Sequence, residues 1–177
     1  RLDRHSRRFI ELSPFLCMGT GNADGGMDVS PRGDGPGFVR VLDERRLLIP
    51  ERPGNRRHDS MVNLTAGGGI GLLFFVPGIN ETLRVNGRAS VTRDPELLTA
   101  STWKGHTPVL GILVQIDEVF FHCAKALLRA RLWQPEAQGG RDRFPRMGEV
   151  IRDQMALHVD PDTIETAMQE SYRRDLY

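Results

Sequence analysis

The stretch that decides most of the fold is residues 28–63, DVSPRGDGPGFVRVLDERRLLIPERPGNRRHDSMVN. Two extended runs lie in it between a Ser-Pro-Arg-Gly-Asp turn and the basic segment 53–57. This order predicts strand, turn and the N-terminus of a helix. Backbone N–H groups and the helix dipole favour an anion at such an end, and arginine can grip two phosphate oxygens at once. The stretch therefore predicts a site for a phosphorylated small molecule.

Length and composition predict one soluble globular domain. The chain has 177 residues, of which 39% are hydrophobic and 27% are charged. A net charge of +1 predicts no general attraction to nucleic acid or to an anionic membrane. No apolar run approaches the ~20 residues that cross a bilayer, and no leader precedes Leu12, so we expect a cytoplasmic protein. Cys17 and Cys123 lie far apart in apolar stretches, which predicts two buried free thiols.

Hydrophobic periodicity and turn residues predict the order of the elements. The predicted strands are 15–19, 27–31, 38–42, 46–50, 70–76, 82–91 and 109–121. The predicted helices are 2–12, 55–64, a short one after Asp94, 124–133, 148–157 and 162–175, the last capped by Asp160. The continuous apolar run 70–76 is typical of a strand that is buried on both faces. Six or seven strands with short turns predict a mainly β (α+β) protein with an antiparallel barrel.

The order of these pieces resembles the pyridoxamine 5′-phosphate oxidase-related flavoproteins. Four motifs carry the resemblance: DVSPRGD, LLIPERPGNRRHDS, GLLFFVPG and ETLRVNGRA. The family's fold is an FMN-binding split β-barrel of six to seven mostly antiparallel strands with flanking helices. The resemblance implies one domain over residues 1–177, with a core at about 9–133 and a C-terminal helical extension at about 146–177. It also implies a homodimer with its flavins at the subunit interface.

The resemblance implies where FMN would bind. Positions that line the isoalloxazine ring and the ribityl chain would be Ser30, Arg32, Gly33, Asp34, Leu48, Ile49 and Pro50. Positions that clamp the phosphate would be Asn55, Arg56 and Arg57, with Ser60 one helical turn later. A cation near the pyrimidine side of the ring would stabilise the anionic reduced flavin.

Further candidate positions lie outside that segment. By the same resemblance, Thr82 and Arg84 would reach the flavin of the partner subunit, and Arg131 or Trp133 would cover its ring. The segment that carries Arg131 and Trp133 is equally compatible with a solvated helix face. Arg52 is a further candidate, which the sequence predicts to be more exposed and which is equally compatible with an ordinary surface charge. No residue stands out as a general acid or base.

The resemblance implies an FMN-dependent oxidoreductase that moves hydride or electrons between FMN and a small organic molecule or a nicotinamide donor. Three alternatives stay open: a flavin carrier or sensor without turnover, a haem- or deazaflavin-binding relative, and a pyridoxamine 5′-phosphate oxidase. The last is the weakest, because the family's pyridoxal-holding residues have no clear match in this chain. The glycines 67–69 replace the family's usual Asn-Pro pair, which loosens one turn. The adjacent His122 and Cys123 lack a third ligand at a usual spacing, so we expect no metal site.

Overall fold

Seven strands and six α-helices form the regular structure of residues 1–54 and 57–176, the part of the chain that the computed structural model describes. The strands are β1 Phe15–Gly21, β2 Met27–Gly33, β3 Arg40–Val41, β4 Arg46–Pro50, β5 Gly69–Phe75, β6 Thr82–Thr92 and β7 Gly111–His122. The helices are α1 Arg4–Leu12, α2 Asp59–Thr65, α3 Pro95–Thr99, α4 Lys125–Ala130, α5 Met147–Gln154 and α6 Pro161–Arg174. The predicted order of elements is confirmed.

All seven strands belong to one antiparallel sheet with the order β2-β1-β5-β6-β7-β4-β3. The predicted mainly β, antiparallel fold class is therefore confirmed. The β1–β2 hairpin closes as its sequence predicts, since Asn22 Oδ1 accepts hydrogen bonds from the N–H groups of Asp24 and Gly26. Gly25 takes a positive φ in this turn, which glycine adopts without steric cost.

The two faces of the sheet differ in burial. We call inner the face that carries Leu16 and Met18, which are fully buried, and outer the face that carries Phe15, which is exposed. Strand β5 was predicted to be buried on both faces, and this is wrong for the single chain. Its inner residues 70, 72 and 74 are buried, whereas Leu73 and Phe75 on the outer face are only half-buried.

A β-bulge bends the two longest strands. The register between β6 and β7 shifts at Asn86/Gly87, where Asn86 pairs with Glu118 and Gly87 pairs with Ile116. A side chain at Gly87 would collide with the backbone of Gln115, so this position requires glycine. Bulges of this kind increase the local twist and allow a sheet to curl.

Helix α1 closes one side of the core as its periodicity predicts. Leu2, Phe9 and Ile10 are buried, and Phe9 packs edge-on against Phe121 at a centroid distance of 5.4 Å. The Asp3 side chain caps the helix by accepting a hydrogen bond from the Ser6 N–H. This bond lowers the pKa of the Asp3 carboxyl.

The contacts divide the chain into two units: residues Arg1–Arg52 with Arg57–Trp133, and Pro53–Arg56 with Gln134–Tyr177. The first unit contains the whole sheet. In the second, α5 packs against α6, and the Glu165 carboxylate accepts a hydrogen bond from the Gly148 N–H. Asp160 caps α6, as predicted. The organisation of residues 1–177 as one domain stays a prediction.

Several local predictions are corrected. Helix α2 begins at Asp59, not at Asn55, and the predicted positions Asn55 and Arg56 lie outside the described residues. Both cysteines are free, but Cys17 is half-buried on the outer face of β1, and Cys123 is exposed just beyond the end of β7. No helix in the described part of the chain is long and apolar enough to cross a membrane.

Candidate functional site

The candidate site begins with three polar residues on the inner face of β2. Asp28, Ser30 and Arg32 alternate along the strand, and the register places them opposite Thr20, Met18 and Leu16 of β1. All three β1 residues are fully buried, so the polar groups of β2 lie at the margin of the core. Buried polar groups need hydrogen-bond partners, and helix α2 and the end of β4 supply them.

Helix α2 packs against β1 and β2 and presents two buried polar side chains. The Ser60 hydroxyl lies 3.2 Å from the Ser30 hydroxyl. The amide of Asn63 donates to Asp28 Oδ2 at 2.8 Å and to Thr20 Oγ1 at 3.1 Å. The sequence-predicted residues Ser30 and Ser60 are thus brought together, and Asn63 fixes the helix above them.

Arg32 is paired with a carboxylate that the sequence did not identify. Its Nη1 donates to Glu51 Oε2 at 2.6 Å, and the two side chains are only 15% and 20% exposed. The Nε of the same guanidinium is buried and has no acceptor. An unsatisfied buried donor costs about 1–3 kcal/mol. Arg32 therefore keeps one oriented N–H donor that a bound acceptor group would satisfy.

A second ion pair joins three segments of the first unit. Arg52 Nε donates to Asp34 Oδ2 at 2.7 Å, and its Nη2 donates to the Ser101 carbonyl at 3.0 Å. The Arg52 and Asp34 side chains are 15% and 2% exposed. The prediction of a more exposed Arg52 is therefore wrong, because Asp34 and the Ser101 carbonyl, both distant in sequence, bury it.

Among the described strands, the end of β4 lacks a neighbour along one edge. Leu48, Ile49 and Pro50 are all buried and pair with β7. On the other edge, the two-residue β3 pairs only with Leu47 and Leu48. In the described structure, Ile49 and Pro50 thus have no strand neighbour on that edge. This geometry is compatible with a planar ligand beside their backbone.

Gly33 ends β2 where space is tight. A Cβ atom at this position would lie 3.3 Å from both the Phe15 ring and the Pro14 carbonyl oxygen. The backbone of the β2 end therefore approaches its neighbours closely.

Arg57 does not occupy the position that was expected for it. It precedes α2 by two residues, its side chain is 72% exposed, and its Nε donates to Asp59 Oδ2 at 2.8 Å. This hydrogen bond raises the pKa of Arg57. Because Asp59 lies in the first turn of α2, its carboxylate already offsets the helix dipole. The predicted helix 55–64 would contain Arg57, whereas the observed helix starts after it; the role of Arg57 at a phosphate stays a prediction.

Thr82 and Arg84 lie on the outer face, opposite to the Ser30–Arg32 side of the sheet. The register shows this, since Arg84 pairs with Leu73 and Phe120. The Arg84 guanidinium lies 4.2 Å above the centre of the Phe120 ring, and its Nε is buried without an acceptor. Side chains on opposite faces cannot meet through the sheet. A site that used both groups would therefore need a second chain.

Arg131 and Trp133 follow α4. Arg131 is exposed and takes a left-handed conformation, with φ 51°, at the end of the helix. The indole N–H of Trp133 donates to the Ile79 carbonyl at 2.9 Å. The indole N–H of Trp133 is thus already hydrogen-bonded within its own chain. Trp133 would therefore contact a ligand through the face of its ring.

Four residues of this site were missed by sequence reasoning: Asp28, Glu51, Asn63 and Ser101. Only Asp28 had a usable signal, because it shares the two-residue period of Ser30 and Arg32. The described residues contain no group of three or more His, Cys, Asp or Glu side chains that could hold a metal ion.

Comparisons with known proteins place this arrangement in context. The family model of pyridoxamine 5′-phosphate oxidase matches residues 2–123. The crystal structure of a HupZ variant from Group A Streptococcus aligns with a TM-score of 0.55 at 15% identity, covering 69% of this chain and 100% of that one. No curated protein matches the chain.

Two further crystal structures share the fold. A candidate pyridoxamine 5′-phosphate oxidase from Lactobacillus delbrueckii aligns with a TM-score of 0.52 at 24% identity, covering 68% and 93% of the two chains. An FMN-binding protein from Syntrophomonas wolfei aligns at 0.51 and 10% identity, covering 66% and 83%. At these identities the three structures support the fold alone.

Proposed function

The chain belongs to the pyridoxamine 5′-phosphate oxidase family, and on that premise we propose that it is a flavoprotein that binds FMN and acts as an oxidoreductase. The observation that carries the proposal is the buried Arg32 Nε, an oriented donor without an acceptor. It lies on the same face of β2 as Ser30, whose hydroxyl contacts that of Ser60. A phosphorylated, oxygen-rich ligand would supply acceptors to all three groups.

The preference for FMN over a dinucleotide comes from the sequence. A single phosphate needs few donors, and Arg57 lies two residues before the start of α2. The chain has no Gly-x-Gly-x-x-Gly turn of the kind that binds a dinucleotide pyrophosphate. The FMN-binding protein from Syntrophomonas wolfei has the same fold. Together these features favour FMN as the cofactor.

A bound flavin would supply hydride and one-electron chemistry, with a small organic molecule or a nicotinamide nucleotide as the reaction partner. Arg32 is held in place by Glu51, which offsets most of its charge. Its contribution is then an oriented hydrogen bond rather than a free positive charge. Buried Leu48 and Ile49 would exclude water from the ligand.

We also propose that two chains assemble and share the site. The outer face carries exposed Phe15, Met27 and Val29 on neighbouring strands, next to half-buried Leu73. Clustered exposed apolar side chains commonly mark an interface. A second copy on this face would cover them and would give the buried Arg84 Nε an acceptor. Light scattering should show a dimer, and Val29→Glu should produce monomers.

The test of the cofactor is the absorbance spectrum of the freshly purified protein, with mass identification of the released ligand. We expect flavin bands and FMN. Released FAD, a haem Soret band or a deazaflavin band would contradict FMN. Reduction by NADH or NADPH, followed by a screen of acceptors, then separates an enzyme from a carrier or sensor. Hydrogen peroxide release from pyridoxamine 5′-phosphate tests the vitamin substrate.

A further inference from the structure

A rigid hairpin between α3 and β7 presents an exposed tryptophan. Trp103 and His106 exchange two backbone hydrogen bonds, of 3.1 Å and 2.8 Å. Lys104 and Gly105 between them both have positive φ, which is the geometry of a tight two-residue hairpin turn. Trp103 is 41% exposed, although backbone hydrogen bonds order the turn that carries it.

The hairpin is attached to the candidate site at two points. Arg52, which pairs with Asp34, also donates to the Ser101 carbonyl at the base of the hairpin. Trp103 lies against Gly35, where an added Cβ atom would be 3.0 Å from Cζ2 and 3.1 Å from Cη2 of the indole. Gly35 follows Asp34 directly. The indole therefore stands beside the turn that ends β2.

Two further features of the hairpin are relevant to a binding role. Ser101 is buried, and its hydroxyl has no hydrogen-bond partner. The segment 101–107 contains Lys104 and no acidic residue. An exposed aromatic side chain that is followed directly in sequence by a lysine is suited to a planar ring that carries a phosphate.

We infer that Trp103 is a binding residue for the reaction partner of the flavin, and that it stacks on the ring of a nicotinamide nucleotide. This inference rests on the proposed function for the position of the flavin. Gly35 contacts one part of the indole, and the exposed remainder receives the ligand ring. Lys104 attracts the phosphate of the same ligand. The hairpin thus contributes to the choice of the reaction partner and does not hold FMN.

The test is calorimetric titration of the protein with nicotinamide mononucleotide. The protein is first saturated with FMN, so that the phosphate of the added nucleotide cannot enter the FMN site. Trp103→Ala should weaken this binding by about tenfold or more, because stacking is lost. Trp103→Phe should stay within about threefold of the unchanged protein, since a smaller ring still stacks. The matched control is Val109→Ala, which truncates an 81% exposed apolar residue just beyond the hairpin and should change nothing.

FMN affinity is measured separately on the same variants and should be unaltered. Unchanged nicotinamide mononucleotide binding by Trp103→Ala would overturn the inference, as would absence of this binding in the unchanged protein. If Trp103→Ala fails to fold, Trp103→Phe decides the question. Complete loss of nicotinamide mononucleotide binding in this variant, while it remains folded, would overturn the inference. If the protein binds no FMN, the proposed function fails, and the same titration without FMN still decides the role of Trp103.

Discussion

Replacement of Arg32 by methionine is the sharpest test of the candidate site. Methionine keeps much of the apolar stem and removes the guanidinium, including the buried Nε that lacks an acceptor. If this N–H of the guanidinium donates to FMN, the variant loses a charge-assisted hydrogen bond of about 1.5–3 kcal/mol. FMN should then bind roughly ten- to a hundred-fold more weakly.

The stability of the FMN-free protein should change much less. The variant loses the Arg32–Glu51 pair, which is intermediate between a surface pair and a buried one and contributes about 1–2 kcal/mol. It also loses the unsatisfied Nε, which costs about 1–3 kcal/mol in the unliganded state. The two effects oppose each other, so the free energy of unfolding should fall by no more than about 1 kcal/mol.

The assays are fluorescence titration with FMN and urea denaturation without it. Arg88→Met is the matched control, because Arg88 also pairs with an acid, Asp117, but is 75% exposed on β6. It should leave both FMN affinity and stability almost unchanged. The reasoning would be refuted by an Arg32→Met protein that binds FMN like the unchanged one while its stability falls by several kcal/mol, because Arg32 would then be structural.

Three further outcomes are expected. Arg57→Ala should weaken FMN binding in titration while thermal denaturation of the FMN-free protein stays the same, since this side chain is largely exposed; unaltered affinity would remove it from the phosphate clamp. Asn63→Ala should cost about 1.5–3 kcal/mol in urea denaturation, because it removes the buried donor to Asp28; a smaller loss would mean that water replaces the amide. The pKa of Asp3 is lowered by its bond to the Ser6 N–H, so its contribution is complete above the unfolded pKa and is lost as pH falls below about 4; acid titration of Asp3→Ala should lack this component.

The local elements could be predicted from sequence because their signals are local. The Asn-Ala-Asp-Gly-Gly turn, the aspartate caps at Asp94 and Asp160 and the alternation of β6 all depend on neighbours within a few residues. The motifs also identified the family, and the match of the family model to residues 2–123 confirms it. Within β2, alternation alone places Ser30 and Arg32 on one face.

Partners and burial were decided by the tertiary structure. Glu51, whose carboxylate pairs with Arg32, lies 19 residues away along the chain. Ser101, whose carbonyl accepts a hydrogen bond from Arg52, lies 49 residues away. Helix α2 begins at Asp59 rather than at Asn55. The two arginine contacts depend on which distant segments the sheet brings together, and a residue's own sequence context does not contain that information. Periodicity therefore determined which side chains share a face, whereas packing of distant segments determined which charge was neutralised and which donor, the Nε of Arg32, was left for a ligand.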